Sequence, residues 1–265
     1  MSARCETARR NQPVIEKEAS LYNGEVTIQR GDFGRKKHAY YWVEKGYFVP
    51  GVTSILRILD KPALLPWAAG LASKYVQDNL PENATKQQIA EVCEKAKTEW
   101  RSVRDAAGDI GTAVHAFAEN LFKGIPQALP ENPFVQNGVK ALQAWIAEND
   151  IKIIDTELVV FSKKCFVAGT MDLLASVNGK LSQVDLKTGK GIYPDHKFQT
   201  GIYKRAWEEE AGEKIEQNII VNLNKLNGKP KILTIDNQDE MDFHADTFLR
   251  IKSVNENLKK MGEYA

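Results

Sequence analysis

The clearest pattern in the chain is a pair of runs rich in Leu and Val, residues 173–177 (LLASV) and 180–187 (KLSQVDLK). Asn178-Gly179 separates them, and this dipeptide between apolar runs is typical of a two-residue type I′ turn. We therefore predict a β-hairpin in which Val177 faces Lys180. Because side chains alternate between the two faces of a strand, this register decides which residues of the hairpin meet.

Counting outward from the turn places Asp172 opposite Asp185. Opposite residues on one face of a hairpin have Cβ atoms about 4.5–5.5 Å apart. Two carboxylates at that separation repel each other, so the arrangement favours a cation between them. Lys187 follows Asp185 by two positions and lies on the same face. The alternative is an ordinary solvated hairpin face, since Asp-x-Lys triplets are common.

The rest of the pattern predicts an N-terminal segment followed by alternating helices and strands. Residues 1–20 are polar and aperiodic and are expected to form a loose arm, and three β-prone runs between residues 25 and 49 predict a small antiparallel sheet. The later elements are a short helix capped by Thr53-Ser54 and ending near Leu59, helices 66–79, 86–107, 108–122 and 134–149, strands 151–161, 166–177 and 180–187, helix 196–211, strands 216–224 and 229–235, and helix 241–261.

This order of elements predicts an α/β fold in two parts. Residues 108–265 are expected to form a core with a central mixed sheet flanked by helices, and residues 1–107 an extension of β-hairpins and helices. In the predicted helix 196–211, Gln199 and Tyr203 stand four residues apart on one face. Glu157 lies on the first strand of the core and is a further candidate acid.

Composition narrows the range of functions. The net charge is +1 with 43% hydrophobic residues, so binding to nucleic acid has to come from local basic patches such as Arg35-Lys36-Lys37. Three cysteines, odd in number and far apart, do not predict a disulfide framework. The N-terminus has no apolar signal core and no apolar run reaches membrane-span length. We expect a cytoplasmic protein, with a mitochondrial location less favoured.

Four motifs in order resemble the RecB-type branch of the PD-(D/E)XK nuclease superfamily. They are a helical His115 after Gly111, the G-x-x-D run Gly169–Asp172, the D-x-K-T-G run 185–189, and the Q-x-x-x-Y run Gln199–Tyr203. The likeness covers about residues 108–235. The segment 49–69 resembles the N-terminal part of phage-encoded and mitochondrial-genome-maintenance-type exonucleases of the same branch. This resemblance implies that the cytoplasm is that of a bacterium or a phage-infected cell.

The resemblance implies a restriction-endonuclease-like core that binds Mg²⁺ or Mn²⁺ and hydrolyses DNA. It implies that the ion is held by His115, Asp172, Asp185 and the Leu186 carbonyl, and that Lys187, Gln199, Tyr203 and Glu157 complete the catalytic set. The candidate DNA contacts are Arg35, Lys36, Lys37, Thr188, Lys190 and Lys204. No iron–sulfur cluster is expected, because relatives that carry one have three cysteines near the C-terminus and no cysteine here follows Cys165.

The function expected from these residues is exonucleolytic hydrolysis from free single-stranded DNA ends, in replication, recombination or repair. Three alternatives remain open: a structure-selective or nicking endonuclease on the same core, a DNA-binding module without catalysis, and a related enzyme that acts on RNA. The expected partners are DNA and a single-strand annealing or replication protein, with the chain itself a monomer.

Overall fold

The computed structural model describes residues 13–262 of the chain and contains two β-sheets and six α-helices within that range. The first sheet is antiparallel, with its four strands in chain order: β1 Val14–Leu21, β2 Val26–Phe33, β3 Lys36–Trp42 and β4 Tyr47–Val49. The predicted antiparallel sheet is thus confirmed. It has one more strand than the sequence pattern indicated.

The second sheet forms the centre of the molecule and is mixed. Its strands are β5 Ile151–Ser162, β6 Val167–Val177, β7 Lys180–Lys187, β8 Gln217–Leu223 and β9 Pro230–Ile235, adjacent in that order. Strands β7 and β8 are parallel, and the other neighbours are antiparallel. The parallel pair is possible because a helix connects the two strands, as such a crossover requires.

Six helices surround the sheets. They are α1 Val52–Leu56, α2 Leu64–Asn79, α3 Lys86–Phe122, α4 Pro133–Ala147, α5 Pro194–Ala211 and α6 Gln238–Lys260. Helices α3 and α4 share a hydrophobic core with one face of the central sheet, and α1, α5 and α6 share a second core with the other face. The predicted α/β class, with a mixed sheet flanked by helices, is confirmed. None of the helices in residues 13–262 combines the length and the apolar character needed to cross a membrane.

The N-terminal sheet packs directly on the central sheet. Buried Val26 and Ile28 of β2 share a core with Val159 and Phe161 of β5. The backbone N–H of Ala168 in β6 donates to the Pro50 carbonyl at 3.0 Å. The extension is therefore fixed to the edge of the central sheet, and side chains of β2 and β3 can reach residues on β5 and β6.

Three sequence expectations need correction. Residues 14–21 form edge strand β1 instead of a loose arm. Most of their side chains are exposed, so the sequence there lacks the alternation of apolar and polar residues that would predict a strand. Residues 1–12 of the predicted arm lie outside the described range. Helix α1 begins at Val52 after Gly51 as its N-cap, so Thr53-Ser54 lie inside the helix and do not cap it.

The third correction concerns α3, which is one continuous helix of 37 residues where two were predicted. It runs through Gly108 and Gly111, and at about 1.5 Å per residue it is about 55 Å long. The predicted boundary between residues 107 and 108 therefore falls within a helix. Gly111 is explained by packing: a Cβ atom there would lie 2.9 Å from Oγ1 of Thr188.

Candidate active site

The hairpin of β6 and β7 has the predicted register. Val177 pairs with Lys180, and the ladder continues to Leu173 opposite Val184. Asn178 and Gly179 have φ values of 53° and 84°, as a type I′ turn requires. Asp172 and Asp185 are the next residues beyond the last pair, so the turn brings them to the open end of the hairpin.

The carboxylate of Asp172 continues the hydrogen bonding where the backbone ladder stops. Its Oδ2 accepts a hydrogen bond from the backbone N–H of Leu186 at 2.7 Å. The other oxygen, Oδ1, lies 3.7 Å from Nδ1 of His115 on α3. One oxygen of Asp172 is thus fixed by β7 while the other is directed toward the imidazole. The predicted contribution of the Leu186 carbonyl stays a prediction.

Asp185 forms the buried centre of a second group. Its side chain is 3% exposed, and its Oδ1 lies 2.7 Å from the ammonium of Lys187. The amide nitrogen of Gln199 donates to the same oxygen at 3.2 Å, and the amide oxygen of Gln199 accepts from Lys187 at 3.3 Å. Among the described residues, Oδ2 of Asp185 takes no hydrogen bond although it is buried. A buried carboxylate oxygen without a donor is the kind of atom that a cation satisfies.

The environment shifts the pKa values of this pair. Burial raises the pKa of Asp185 to about 6, against the opposing effect of Lys187, and the charge of Asp172 adds to the rise. Burial lowers the pKa of Lys187, but the charges of Asp185 and Asp172 outweigh it and raise that pKa above its ordinary value. At neutral pH the pair is therefore a carboxylate and an ammonium, and Lys187 is poorly suited to remove a proton from water.

Three possible ligands form a compact cluster beside this pair. Atoms of His115, Glu157 and Asp172 all lie within 4.8 Å of one another. The predicted ligand set included Asp185 in place of Glu157, but Asp185 is not part of this cluster and its Oδ1 is engaged by Lys187 and Gln199. One imidazole and two carboxylates suit Mn²⁺ or Mg²⁺. The donor set fits a divalent ion.

Glu157 reaches the cluster from an unusual backbone conformation. Its φ is 52°, a left-handed value that is uncommon for residues other than glycine. Lys17 of β1 donates to the Thr156 carbonyl at 3.2 Å and makes a short contact with the Glu157 carbonyl. Burial and the charge of Asp172 raise the pKa of Glu157. Such strain is kept only where the surroundings hold it, and it is frequent at functional sites.

The cluster lies in an open cleft of about 580 Å³. Side chains of both parts of the chain line it: Arg30, His38 and Tyr40 from the N-terminal sheet, Thr53 and Ser54 from α1, His115 and Glu119 from α3, and Glu157, Asp172, Thr188, Gln199 and Tyr203 from the core. A second cleft, of about 830 Å³, adjoins the first, since Thr53 and Gln199 line both. Lys187 lines the second cleft together with Arg57, Lys61 and His196.

Tyr203 is buried behind the cluster and explains the glycine of the G-x-x-D run. A Cβ atom at Gly169 would lie 2.1 Å from Cε1 of the Tyr203 ring. Burial raises the pKa of Tyr203, which keeps the hydroxyl protonated. The Gln199 amide donates to that hydroxyl at 3.4 Å, so Tyr203 supports the residue that contacts both Asp185 and Lys187.

The predicted DNA contacts are distributed unevenly. Thr188 lines the cleft, and Lys190, two residues later, is exposed. The β2–β3 turn is partly engaged: Lys37 pairs with Asp32 at 2.5 Å, Lys36 lies over the Phe48 ring at 3.6 Å, and Arg35 is exposed.

Lys204 does not belong with these residues. Its side chain is 3% exposed and pairs with Glu208 at 3.0 Å and Asp242 at 3.2 Å. The ammonium therefore joins α5 to α6, and its burial and its two ion pairs argue against the predicted contact with DNA. Its position on the same helix as Gln199 and Tyr203 does not reveal this, because the partner on α6, Asp242, comes from a distant part of the sequence.

Sequence reasoning missed the residues that the N-terminal sheet contributes. The guanidinium of Arg30 lies 3.6 Å from Glu157, and the hydroxyl of Tyr40 lies 2.9 Å from Oγ1 of Thr170. Tyr40 belongs to an aromatic run whose pattern predicts core packing, and nothing local distinguishes Arg30 from a surface residue. Their roles arise from the packing of the two sheets.

Comparison with known proteins gave only distant structural similarity. No protein-family model and no curated protein sequence match the chain. The solved structure of SSO0001 aligns with 72% of this chain and 86% of its own at 15% identity and a TM-score of 0.34. An alkaline exonuclease, LHK-Exo from Laribacter hongkongensis, aligns with 74% of this chain and 97% of its own at 13% identity and a TM-score of 0.29. Its complex with dAMP aligns at 15% identity, covering 74% and 95% of the two chains, with a TM-score of 0.25. These similarities assign no role to any residue of this chain.

Proposed function

We propose that this protein is a Mg²⁺- or Mn²⁺-dependent deoxyribonuclease that degrades DNA from free single-stranded ends. The observation that carries the proposal is the meeting of Asp172, Asp185 and Lys187 at the open end of one hairpin, beside an imidazole. Hydrolysis of a phosphodiester needs an activated water and a means of neutralising charge on the phosphate. This group of side chains is suited to provide both.

The cluster of His115, Glu157 and Asp172 would hold the divalent ion, and the charge of Asp185, which interacts with Asp172 and His115, would add to the attraction. When bound, such an ion lowers the pKa of water and neutralises negative charge on the phosphate. The Leu186 N–H fixes one oxygen of Asp172 and leaves the other for the ion. The donors are oxygen and nitrogen atoms, which is the usual set for nuclease metals.

Lys187 would position the attacking water and offset anionic charge. Its raised pKa keeps the ammonium charged, so it acts as a hydrogen-bond donor and not as a base. Gln199 holds the ammonium and Asp185 in fixed relation, since it contacts both. Tyr203 in turn accepts a hydrogen bond from Gln199 at a buried position.

The shape of the surface supports a single strand as substrate. Two adjoining clefts meet at Thr53 and Gln199, one with the ligand cluster and one with Lys187. A strand that runs through both would pass the ligand cluster and Lys187 in turn. Arg57 and Lys61 supply positive charge along the second cleft.

The proposal is tested with DNA of defined ends. Linear single-stranded DNA, linear duplex, closed single-stranded and duplex circles, and matched RNA are incubated with Mg²⁺, Mn²⁺ or EDTA. We expect linear single-stranded DNA to be degraded with either ion, circles and RNA to stay intact, and EDTA to abolish cleavage. Cleavage of circles would favour the endonuclease alternative, and cleavage of RNA the RNA-directed one.

Variants connect the activity to the site. Asp172→Asn and Asp185→Asn are expected to lose cleavage, because each removes anionic charge at the ion. Asp78→Asn is the matched control, since Asp78 is an exposed aspartate on α2 away from both clefts. Full activity of Asp185→Asn, or equal activity in EDTA, would contradict the proposal.

A further inference from the structure

Arg30 is a cationic side chain of the N-terminal sheet that lies beside the carboxylate of Glu157 and lines the cleft of the ligand cluster. It lies within β2, where it pairs with Lys17 of β1 and Tyr40 of β3. Its side chain is 26% exposed and lines the first cleft together with His115 and Asp172. The guanidinium is thus held on a rigid sheet and directed at the same space that would receive a phosphate.

The two carboxylates beside Arg30 do not use all the hydrogen-bond donors of its guanidinium. The guanidinium lies 3.6 Å from Oε2 of Glu157 and 3.5 Å from Oε2 of Glu16, and makes no hydrogen bond to a residue in the range 13–262. A guanidinium has five N–H donors in a planar fork, which matches two oxygens of a carboxylate or a phosphate. Arg30 therefore has donors to offer on the cleft side.

A divalent ion would offset the excess of negative charge around Arg30. The four carboxylates of Asp172, Asp185, Glu157 and Glu16 exceed the two cations Lys187 and Arg30 by two negative charges. One divalent ion compensates both of these charges. The ion also takes over the neutralisation of Glu157, which weakens the hold of that carboxylate on Arg30.

We propose that Arg30 binds a phosphate of the substrate strand beside the scissile bond, exchanging its partner Glu157 for phosphate oxygens once the divalent ion is in place. This inference rests on the proposed nuclease function and extends the substrate site to the N-terminal sheet. Glu157 keeps its position during the exchange, because Lys17 holds its backbone independently of Arg30.

Binding measured without cleavage tests the inference. The probe is a fluorescent single-stranded DNA oligonucleotide titrated in Ca²⁺, under conditions confirmed to give no cleavage, at several salt concentrations. Arg30→Ala is expected to bind roughly 10- to 100-fold more weakly, since a charge-assisted hydrogen bond is lost. The slope of log affinity against log salt should fall by about 0.7, as expected when one phosphate contact to a single strand is removed.

Two variants serve as controls. Arg250→Ala removes an exposed arginine of α6 that lines neither cleft, and is expected to bind like the wild type. Arg30→Lys keeps the charge without the fork and should recover part of the affinity. Thermal unfolding of each variant verifies that it is folded before its affinity is compared.

Metal binding separates a phosphate contact from a purely structural role. Mn²⁺ affinity, measured without DNA by electron paramagnetic resonance, is expected to be unchanged or tighter in Arg30→Ala, because a competing cation has left Glu157. A parallel loss of Mn²⁺ affinity and DNA affinity would overturn the inference, since Arg30 would then only maintain the ligand cluster. So would DNA affinity and a salt slope equal to those of Arg250→Ala.

The partner exchange itself is tested without any metal. Glu157→Gln should bind the oligonucleotide in EDTA more tightly than the wild type, and this gain should be smaller when combined with Arg30→Ala. An equal gain in both backgrounds would refute the exchange. If Arg30→Ala loses binding while the wild type cleaves no DNA under any condition, the nuclease proposal fails and the phosphate contact of Arg30 stands.

Discussion

The ammonium of Lys187 lies 2.7 Å from a carboxylate oxygen of Asp185, two residues before it on the same strand. Both side chains project from one face of β7, and Asp185 is almost wholly buried. Mutual neutralisation makes this burial tolerable, because an isolated buried charge would be costly. The same pair sets the protonation states available for chemistry.

Lys187→Met is expected to lower kcat roughly 10²- to 10³-fold, the usual cost of removing one donor that acts in the transition state. KM for DNA should change little, and Lys180→Met at the opposite end of β7 should have no effect. The measurement is steady-state cleavage of a labelled oligonucleotide in Mg²⁺.

Because the pKa of Lys187 is raised, its deprotonation should not limit the rate near neutral pH. A rise in kcat with an apparent pKa between about 7 and 9 that disappears in Lys187→Arg would contradict this assignment and indicate a base.

The raised pKa of Asp185 predicts how the free energy of unfolding changes with pH in EDTA. Its native pKa of about 6 lies above the ordinary aspartate value of 3.8, so the native state binds the proton more tightly than the unfolded state. The stability that this proton contributes is present below about pH 4 and is lost as the pH rises through 6. Asp185→Asn lacks this titration.

Urea unfolding between pH 4 and 8 checks this prediction. The free energy of unfolding of the wild type, relative to Asp185→Asn, should fall by on the order of 2 kcal/mol over that range. Mn²⁺ should restore it in the wild type only. A difference between the two proteins that is constant with pH would show that the carboxyl is not perturbed.

Gly169→Ala is expected to destabilise the protein by about 1–3 kcal/mol, because the new Cβ would overlap the buried Tyr203 ring. Activity should fall as well, since Tyr203 supports Gln199. Gly70→Ala is the matched control: no heavy atom lies within 4 Å of the Cβ that alanine would add, and alanine in a helix should stabilise by up to about 1 kcal/mol. Wild-type unfolding and activity of Gly169→Ala would refute the packing explanation.

Lys204→Met is expected to destabilise the fold by about 1–3 kcal/mol, because Glu208 and Asp242 lose their shared partner. Affinity for the oligonucleotide in Ca²⁺, and its salt dependence, should be unchanged. Lys190→Met, at an exposed position two residues after Thr188 of the cleft, should weaken binding without affecting stability. The two variants thus separate a structural lysine from a surface lysine, and equal effects on binding would contradict the distinction.

The sequence by itself determined the hairpin and what it brings together. Asn178-Gly179 permits positive φ at both turn positions, and the two-residue period of a strand then fixes the register out to Asp172 and Asp185. These are local constraints, effective over a short stretch on either side of the turn, so they can be inferred from sequence alone. Most helices and strands follow from similar local patterns.

Only the tertiary structure decided which distant residues complete the site. Arg30 and Lys17 contact Glu157 because the two sheets pack together. Lys204 is buried between α5 and α6, where Asp242 of α6 is one of its two counter-ions. The left-handed backbone that turns Glu157 toward Asp172 is likewise held by contacts from Lys17, far away in sequence. No local pattern encodes such contacts, since they depend on how elements pack and on the charge and burial that result.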